Sequence, residues 1–299
     1  IILKSKKKKL FEVVSNPEFL REGEAIRDFR FPDRIIVGSN NPKVTKKVKA
    51  LYEPLIKKGA KFFSTNRRGA ELIKYASNAF LATKISYINE IANLCEQTGI
   101  DVEDVSLGIG LDQRIGSRFL RAGPAYGGSC FPKDTKAITV TGDLFKTDLS
   151  IIKTVIKSNN KRMSLLTLKI KKILSNKIKK KKIAFLGVTF KPNTDDMRQS
   201  ASLTMIPFLH KNGAIIKYYD PTGKKKEFSK YKNVSFCKNI EETCKGVELA
   251  IIHTEWEEFK ALDFNKLFKR KKFKIYDLRN LYSKHFMKKK GIEYYSIGR

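Results

Sequence analysis

The chain has 299 residues, with 62 Lys or Arg against 30 Asp or Glu, and a net charge of +32 at pH 7. Hydrophobic residues make up 41% and aromatic residues 11%, which excludes wholesale disorder and gives material for about two domains. Apolar runs fall short of the ~18–20 residues of a membrane span, residues 1–10 do not read as a signal peptide, and four cysteines without a Cys-x-x-Cys pair exclude a disulfide scaffold or zinc ribbon and suit a reducing cytoplasm.

Residues 1–66 alternate short apolar runs with turns. Segments 11–14, 34–38 and 61–63 read as strands, and 43–58 as an amphipathic helix stopped by Gly59. Residues 67–178 change character. A helix is expected over 71–98, where Leu72, Tyr75, Ala76, Ala79, Phe80, Ile85, Ile88 and Ile91 keep helical spacing and Gly99 supplies the stop. An element this long suits a molecular spine or a dimer interface. Asp101 is a candidate N-cap for the next helix. Residues 108–128 read as glycine-rich and irregular, and 135–173 as mostly helical. From 179 to 299 the pattern returns to α/β. Segments 183–188, 215–219, 249–252 and 273–276 are apolar runs of buried-strand length, and 200–211 reads as a helix before Asn212-Gly213. The expected class is α/β, with a doubly wound, mostly parallel sheet in the last part.

A sequence pI near 9.9 is the footprint of a nucleic-acid binder. The distribution argues otherwise. Lys outnumbers Arg 48 to 14 and comes in runs at 6–9, 179–182, 224–226 and 288–290. Arg, not Lys, suits bidentate reading of phosphate and guanine. A Lys-rich solvated surface is the preferred reading and a polyanion binder the alternative. A phosphate-bearing substrate gains from the field in either case.

The sharpest stretch is Gly123-Pro124-Ala125-Tyr126-Gly127-Gly128-Ser129-Cys130-Phe131-Pro132-Lys133-Asp134. Its glycines let backbone N–H groups approach a ligand. Pro132 suits the first turn of a helix, so Cys130 would sit at a helix N-terminus with Lys133 near it; both favour the nucleophilic thiolate. A cysteine alone is more often a small buried hydrophobe, but the flanking Gly-Gly-Ser and Pro-Lys-Asp set this one apart. Asn16-Pro17-Glu18-Phe19-Leu20-Arg21-Glu22-Gly23 places two carboxylates four apart after a strand, a pattern open to general-base work or to a plain solvated loop. Lys74 and Asn78 share one helix face and could donate together to an oxyanion, or be an ordinary polar face. Asp220, before Pro221, reads as a turn residue despite its strand-end position.

Five segments, in this order, resemble the UDP-glucose/GDP-mannose dehydrogenases: 16–23, 71–78, Asp112-Gln113-Arg114-Ile115-Gly116, 127–134, and Phe190-Lys191-Pro192-Asn193-Thr194-Asp195-Asp196-Met197-Arg198. The likeness covers essentially the whole chain. Ser129 to Thr135 and Pro32-Asp33-Arg34 look most like the branch that oxidises UDP-glucose; GDP-mannose is the alternative substrate. The resemblance implies two successive NAD-dependent oxidations of a sugar-nucleotide alcohol to a carboxylate, here UDP-glucose to UDP-glucuronate. It implies Cys130 as the nucleophile of a thiohemiacetal and thioester, a device that splits a hard oxidation into easier steps. Glu18 would do acid/base work, Lys74 and Asn78 would hold the oxyanion, and Asp134 would assist water or orient Lys. Substrate contacts would come from Phe19, Leu20, Glu22, Lys74, Asn78, Arg121, Tyr126, Gly127, Lys191 and Arg279. Arg114 would reach the sugar of a partner subunit, making a homodimer through the central helix. Glu22, Cys130, Lys133 and Arg198 would touch NAD. No metal, nucleic acid or membrane is implied.

The same resemblance divides the chain into a partial Rossmann-like NAD domain (1–66), a central helical dimerisation and catalytic region (67–178) and a Rossmann-like UDP-sugar-binding domain (179–299). The family's Gly-x-Gly-x-x-Gly turn is not found in these residues. The expectation is a chain lacking most of its NAD domain, with unpaired strand edges and apolar faces near its start. A non-catalytic UDP-sugar-binding fragment is therefore the second functional reading.

Overall fold

The computed structural model describes residues 11–268 and 273–299. The strand expected in Ile1-Ile2-Leu3-Lys4-Ser5 and the lysine run at 6–9 lie outside the described residues. The chain divides into two compact units, residues 1–78 and 79–299.

The first unit holds α1 (Ala25–Arg30), β1 (Arg34–Gly38), α2 (Pro42–Leu51), α3 (Glu53–Ile56), β2 (Lys61–Thr65) and the opening turns of α4 (Arg67–Thr98). β1 and β2 pair in parallel, Arg34 opposite Lys61 through to Gly38 opposite Thr65. Ile35, Val37 and Ala60 form a small core under Val48, Tyr52 and Leu55. Two expectations change here. Residues 11–14 form no strand; Ser15 alone bridges Gly38. Phe11 and Val13 are exposed, so their apolar alternation finds no face to bury it. The helix expected over 43–58 is broken at Tyr52, because Pro54 lacks an N–H and its ring would strike the carbonyl of Ala50. Phe29, Phe31, Leu51 and Phe63 stand exposed, the apolar surface expected of this part.

The second unit continues α4 and adds α5 (Val102–Gly110), α6 (Phe131–Leu144) and α7 (Ser150–Ile173). Asp101 caps α5 by accepting from the Glu103 N–H, and Gly99 takes the left-handed φ of 73° that ends α4. α5 runs to Gly110, slightly into the stretch expected to be irregular. α6 begins at Phe131, earlier than the residue 135 expected, since Pro132 has the fixed φ a first turn needs.

Next come β3 (Lys182–Leu186), α8 (Ser202–Lys211), β4 (Ile215–Tyr219), β5 (Val234–Phe236), α9 (Ile240–Cys244), β6 (Leu249–Ile252), α10 (Phe264–Leu267), β7 (Lys274–Asp277), α11 (Lys284–Lys289) and β8 (Glu293–Ser296). The six strands form one parallel sheet in the order β5-β4-β3-β6-β7-β8. Alternate residues serve two cores. Ile183, Phe185, Leu249 and Ile251 face a large cluster with Ile88, Leu166, Ile170 and Met205, while Ala184, Leu186, Ala250 and Ile252 face one with Trp256, Phe259 and Phe264. Burial on both faces is why these strands read as unbroken apolar runs. The edge strands β5 and β8 have no such run and escaped the sequence reading. The strand order reverses direction between β3 and β6, the place where open parallel sheets form a ligand crevice beyond their carboxyl ends. Among the described residues no helix is long and apolar enough to cross a membrane.

Candidate functional site

In the first unit, Lys74 leaves α4 with a side chain only 13% exposed and reaches back to Glu18. Its Nζ lies 2.9 Å from Glu18 Oε1 and also donates to the Glu18 backbone carbonyl. The Leu20 N–H donates to the same carboxylate at 2.8 Å. Phe19 is sandwiched by charge: the Arg34 guanidinium stands 4.1 Å from its ring centroid and Lys74 Nζ 5.4 Å. The segment 16–23 is thus tied to α4, and Asn78 is buried on that helix one turn beyond Lys74. Lys74 is no ordinary polar helix face. It is an ammonium held by a carboxylate and a carbonyl, with part of its surface open.

In the second unit, Cys130 is the N-cap residue of α6 and is half-buried, with Ser129 Oγ 3.5 Å from its Sγ. Lys133 Nζ lies 2.5 Å from Asp134 Oδ1, so its charge is directed to that buried carboxylate. The loop before Cys130 packs against the chain after β3. Gly128 has φ 77°, its N–H donates to the Arg198 carbonyl at 2.8 Å, and an added Cβ would meet the Phe190 ring at 2.6 Å. At Gly127 an added Cβ would lie 2.4 Å from the Gln199 carbonyl oxygen. Both glycines are close-approach residues, and what they approach is the chain's own segment after β3 rather than the ligand the sequence reading gave them.

Arg279, just past β7, joins three segments. Its Nε donates to the His253 carbonyl at 2.9 Å and an Nη to the Phe190 carbonyl at 2.8 Å. Its other Nη lies 3.8 Å from Glu255 and borders Gly123. Arg121 pairs with the same Glu255 at 3.0 Å and donates to the Arg279 carbonyl at 2.8 Å. Burial disfavours the charge on Arg279 and Glu255 opposes that loss. Lys191 sits beside this cluster, its Nζ 5.5 Å from the Phe190 ring centroid. Arg198 is mostly exposed and is held by Asp196 at 2.9 Å. Arg114 stands on a separate loop, 89% exposed, clasped by Asp112, while Lys84 of α4 holds the loop through the carbonyls of Ile115 and Gly116.

Asp220 stands at a strand end, as the ribose-binding carboxylate of a dinucleotide site does, but it is committed to the chain's own backbone. Its carboxylate accepts from the N–H groups of Val188, Thr189 and Thr222, and is 1% exposed. Those donors occupy the oxygens that a ribose would need. No group of three or more His, Cys, Asp or Glu able to hold a metal occurs among the described residues.

Three family descriptions match the chain: the NAD binding domain of the UDP-glucose/GDP-mannose dehydrogenase family over residues 1–56, its central domain over 68–161, and its UDP binding domain over 184–284. The chain belongs to the UDP-glucose/GDP-mannose dehydrogenase family. Among curated members of this family, UDP-glucose 6-dehydrogenase from Rickettsia prowazekii is 47% identical over 291 residues, covering 96% of this chain and 67% of the relative. The enzyme of the same name from Rhizobium meliloti is 46% identical, covering 96% and 66%. A UDP-glucose dehydrogenase structure from the archaeon Pyrobaculum islandicum superposes with a TM-score of 0.84 at 34% identity, covering 96% of this chain and 63% of that one. The chain thus spans about two thirds of the length of the dehydrogenases it matches. The NAD-binding-domain match over residues 1–56 agrees with the partial NAD domain expected in the first residues.

Several contact-making residues of this chain were not read from its sequence. Glu255 could have been suspected, since the polar His253-Thr254-Glu255 directly follows an apolar strand. Asn89, Asn159 and Arg162 gave no signal, because each sits beside other polar residues of a long helix.

Proposed function

We propose that this chain carries the substrate and thioester chemistry of an NAD-dependent oxidation of UDP-glucose to UDP-glucuronate. The observation that carries this reading is the 47% identity, over 96% of the chain, to a dehydrogenase of that name. The geometry within each unit supports it. Cys130, at the start of a 14-residue helix and partly open, is the nucleophile. Its sulfur adds to the aldehyde carbon left by the first oxidation. The thiohemiacetal loses hydride to become a thioester, and water then releases the carboxylate and restores the thiolate. Lys74 and Asn78 donate to the oxyanion, and Glu18 holds or moves the proton. Asp134 orients Lys133 or water. Phe19, Leu20, Glu22, Arg121, Tyr126, Gly127, Lys191 and Arg279 contact the nucleotide sugar.

NAD, when bound, accepts the hydrides. The exposed Arg198 guanidinium suits a diphosphate, and Glu22, Cys130 and Lys133 complete the proposed contacts; the Gly-x-Gly-x-x-Gly turn that cradles a dinucleotide is not among the 299 residues. The working division is a NAD-domain part at 1–66, a central region at 67–178 and a UDP-sugar domain at 179–299. A homodimer through α4 belongs to the same reading, because Phe80, Tyr87 and Leu94 stand exposed at seven-residue intervals and Arg114, paired with Asp112, stands on an exposed loop from which it would reach a partner's sugar. Four free cysteines suit a cytoplasmic setting.

The test is NADH formation from UDP-glucose, with GDP-mannose as the competing substrate, and its loss in Cys130→Ala. Absence of turnover from pure, folded chain overturns activity of this chain. Absence of UDP-glucose binding by calorimetry overturns the binding role as well.

A further inference from the structure

Residues 123–126, which open the glycine loop leading to Cys130, have no regular structure of their own. Their backbone groups are nevertheless fully engaged at both ends. The Gly123 N–H donates to Asn89 Oδ1 of α4 at 2.9 Å. The Gly123 carbonyl accepts a fork from Arg162 of α7, Nε at 3.1 Å and Nη at 3.0 Å. The Tyr126 N–H donates to Asn159 Oδ1 at 2.9 Å, and the Tyr126 carbonyl accepts from Asn159 Nδ2 at 3.1 Å. Asn159 therefore pairs with Tyr126 as a neighbouring strand would. Arg162 continues onto the Asn89 carbonyl at 3.0 Å and Asn93 Oδ1 at 2.7 Å, which locks α4, α7 and the loop together. All three clamp side chains are almost wholly buried.

We propose that Asn159 and Arg162, with Asn89, are positioning residues that preset the 123–126 backbone in its ligand-bound geometry. The inference rests on the reading that this loop meets the nucleotide sugar. A free loop of this kind loses backbone entropy on each binding event; a clamped one has lost it on folding. Arg162 is suited to the task for a second reason. Its described hydrogen bonds all go to carbonyl and amide oxygens, so the guanidinium acts as a rigid fork rather than as half of an ion pair. Burial disfavours its charge, with Glu96 as a more distant compensation.

The experiment compares UDP-glucose binding by calorimetry with melting temperature in the full chain. Asn159→Ala, Arg162→Met and Arg162→Lys should each weaken binding by about tenfold or more in folded protein. Lys should not rescue, since it keeps the charge but not the fork. Thr243→Ala, buried in α9 away from the loop, should lower the melting temperature and leave the affinity unchanged. Equal affinity in all variants of a binding-competent wild type overturns the inference while leaving the functional reading intact; a wild type that does not bind overturns that reading instead. Amide exchange on the ligand-free wild type decides the matter independently of variant folding. The Gly123 and Tyr126 amides should exchange as slowly as the core of α7, and open-loop rates would overturn the proposal whether or not the ligand binds.

Discussion

Gly128 shows how one residue type can be imposed twice. Its φ of 77° disfavours any side chain, and the Phe190 ring occupies the place of a Cβ. Gly128→Ala should cost about 1–3 kcal/mol, read as a fall of several degrees in melting temperature. Adding Phe190→Ala removes the contact but not the backbone strain, so the double variant should recover only part of the loss. His253 makes a different prediction. It is wholly buried, and burial together with the nearby Arg279 pushes its pKa from 6.5 down to about 3. The unfolded chain therefore takes up this proton first. The stability is fully present above pH 6.5 and is lost progressively as pH falls towards 3. At pH 5 the loss relative to pH 7 should be about 2 kcal/mol. Denaturant melts at the two pH values should show it in the wild type, and His253→Gln should have a correspondingly shallower acid slope.

At the scale of elements, the sequence was most informative where burial is two-sided or the period is long. The runs at 183–188 and 249–252 became central strands because both their faces are covered, and α4 was legible because its apolar spacing persists to Thr98. Failures came where a neighbour decides the outcome. Residues 11–14 have strand composition but little apolar surface to lie on, and Pro54 divides a segment whose polarity still reads as one helix. The site followed the same rule. Cys130, Gly127 and Gly128 announce themselves by unusual local chemistry. Asn159 and Arg162 act across more than thirty residues of sequence on a loop they do not resemble. The exposed stripe on α4 carries its own prediction. Tyr87→Glu or Leu94→Glu should convert a dimer to a monomer in sedimentation, with little change in melting temperature, because neither side chain is buried within the chain. A wild type that is monomeric at all concentrations would refute the α4 interface.

Across the whole molecule, the +32 charge comes largely from lysine runs scattered along the chain, the pattern of a field rather than a site, and salt tests that reading. A specific diphosphate sugar held by a few aimed groups should lose affinity only several-fold between about 50 and 500 mM salt, because screening acts on the long-range part alone. Duplex DNA, if bound, should be released far more steeply, by about three orders of magnitude or more over a similar range. Titrating both ligands against salt separates the two cases. DNA binding that is firm at low salt and steeply lost as salt rises, with no response to UDP-glucose, would favour the polyanion reading.

The cysteines have a practical consequence. Cys95, Cys237 and Cys244 are buried, and burial raises the pKa of all three thiols, that of Cys244 to about 12. Cys130 alone among the four is partly open. A maleimide dye mixed with the folded, unmutated chain should therefore attach at a single address beside the glycine loop. The protein carries its own attachment point for a fluorescent reporter, and the rate at which the dye couples would register a ligand's arrival without an engineered cysteine.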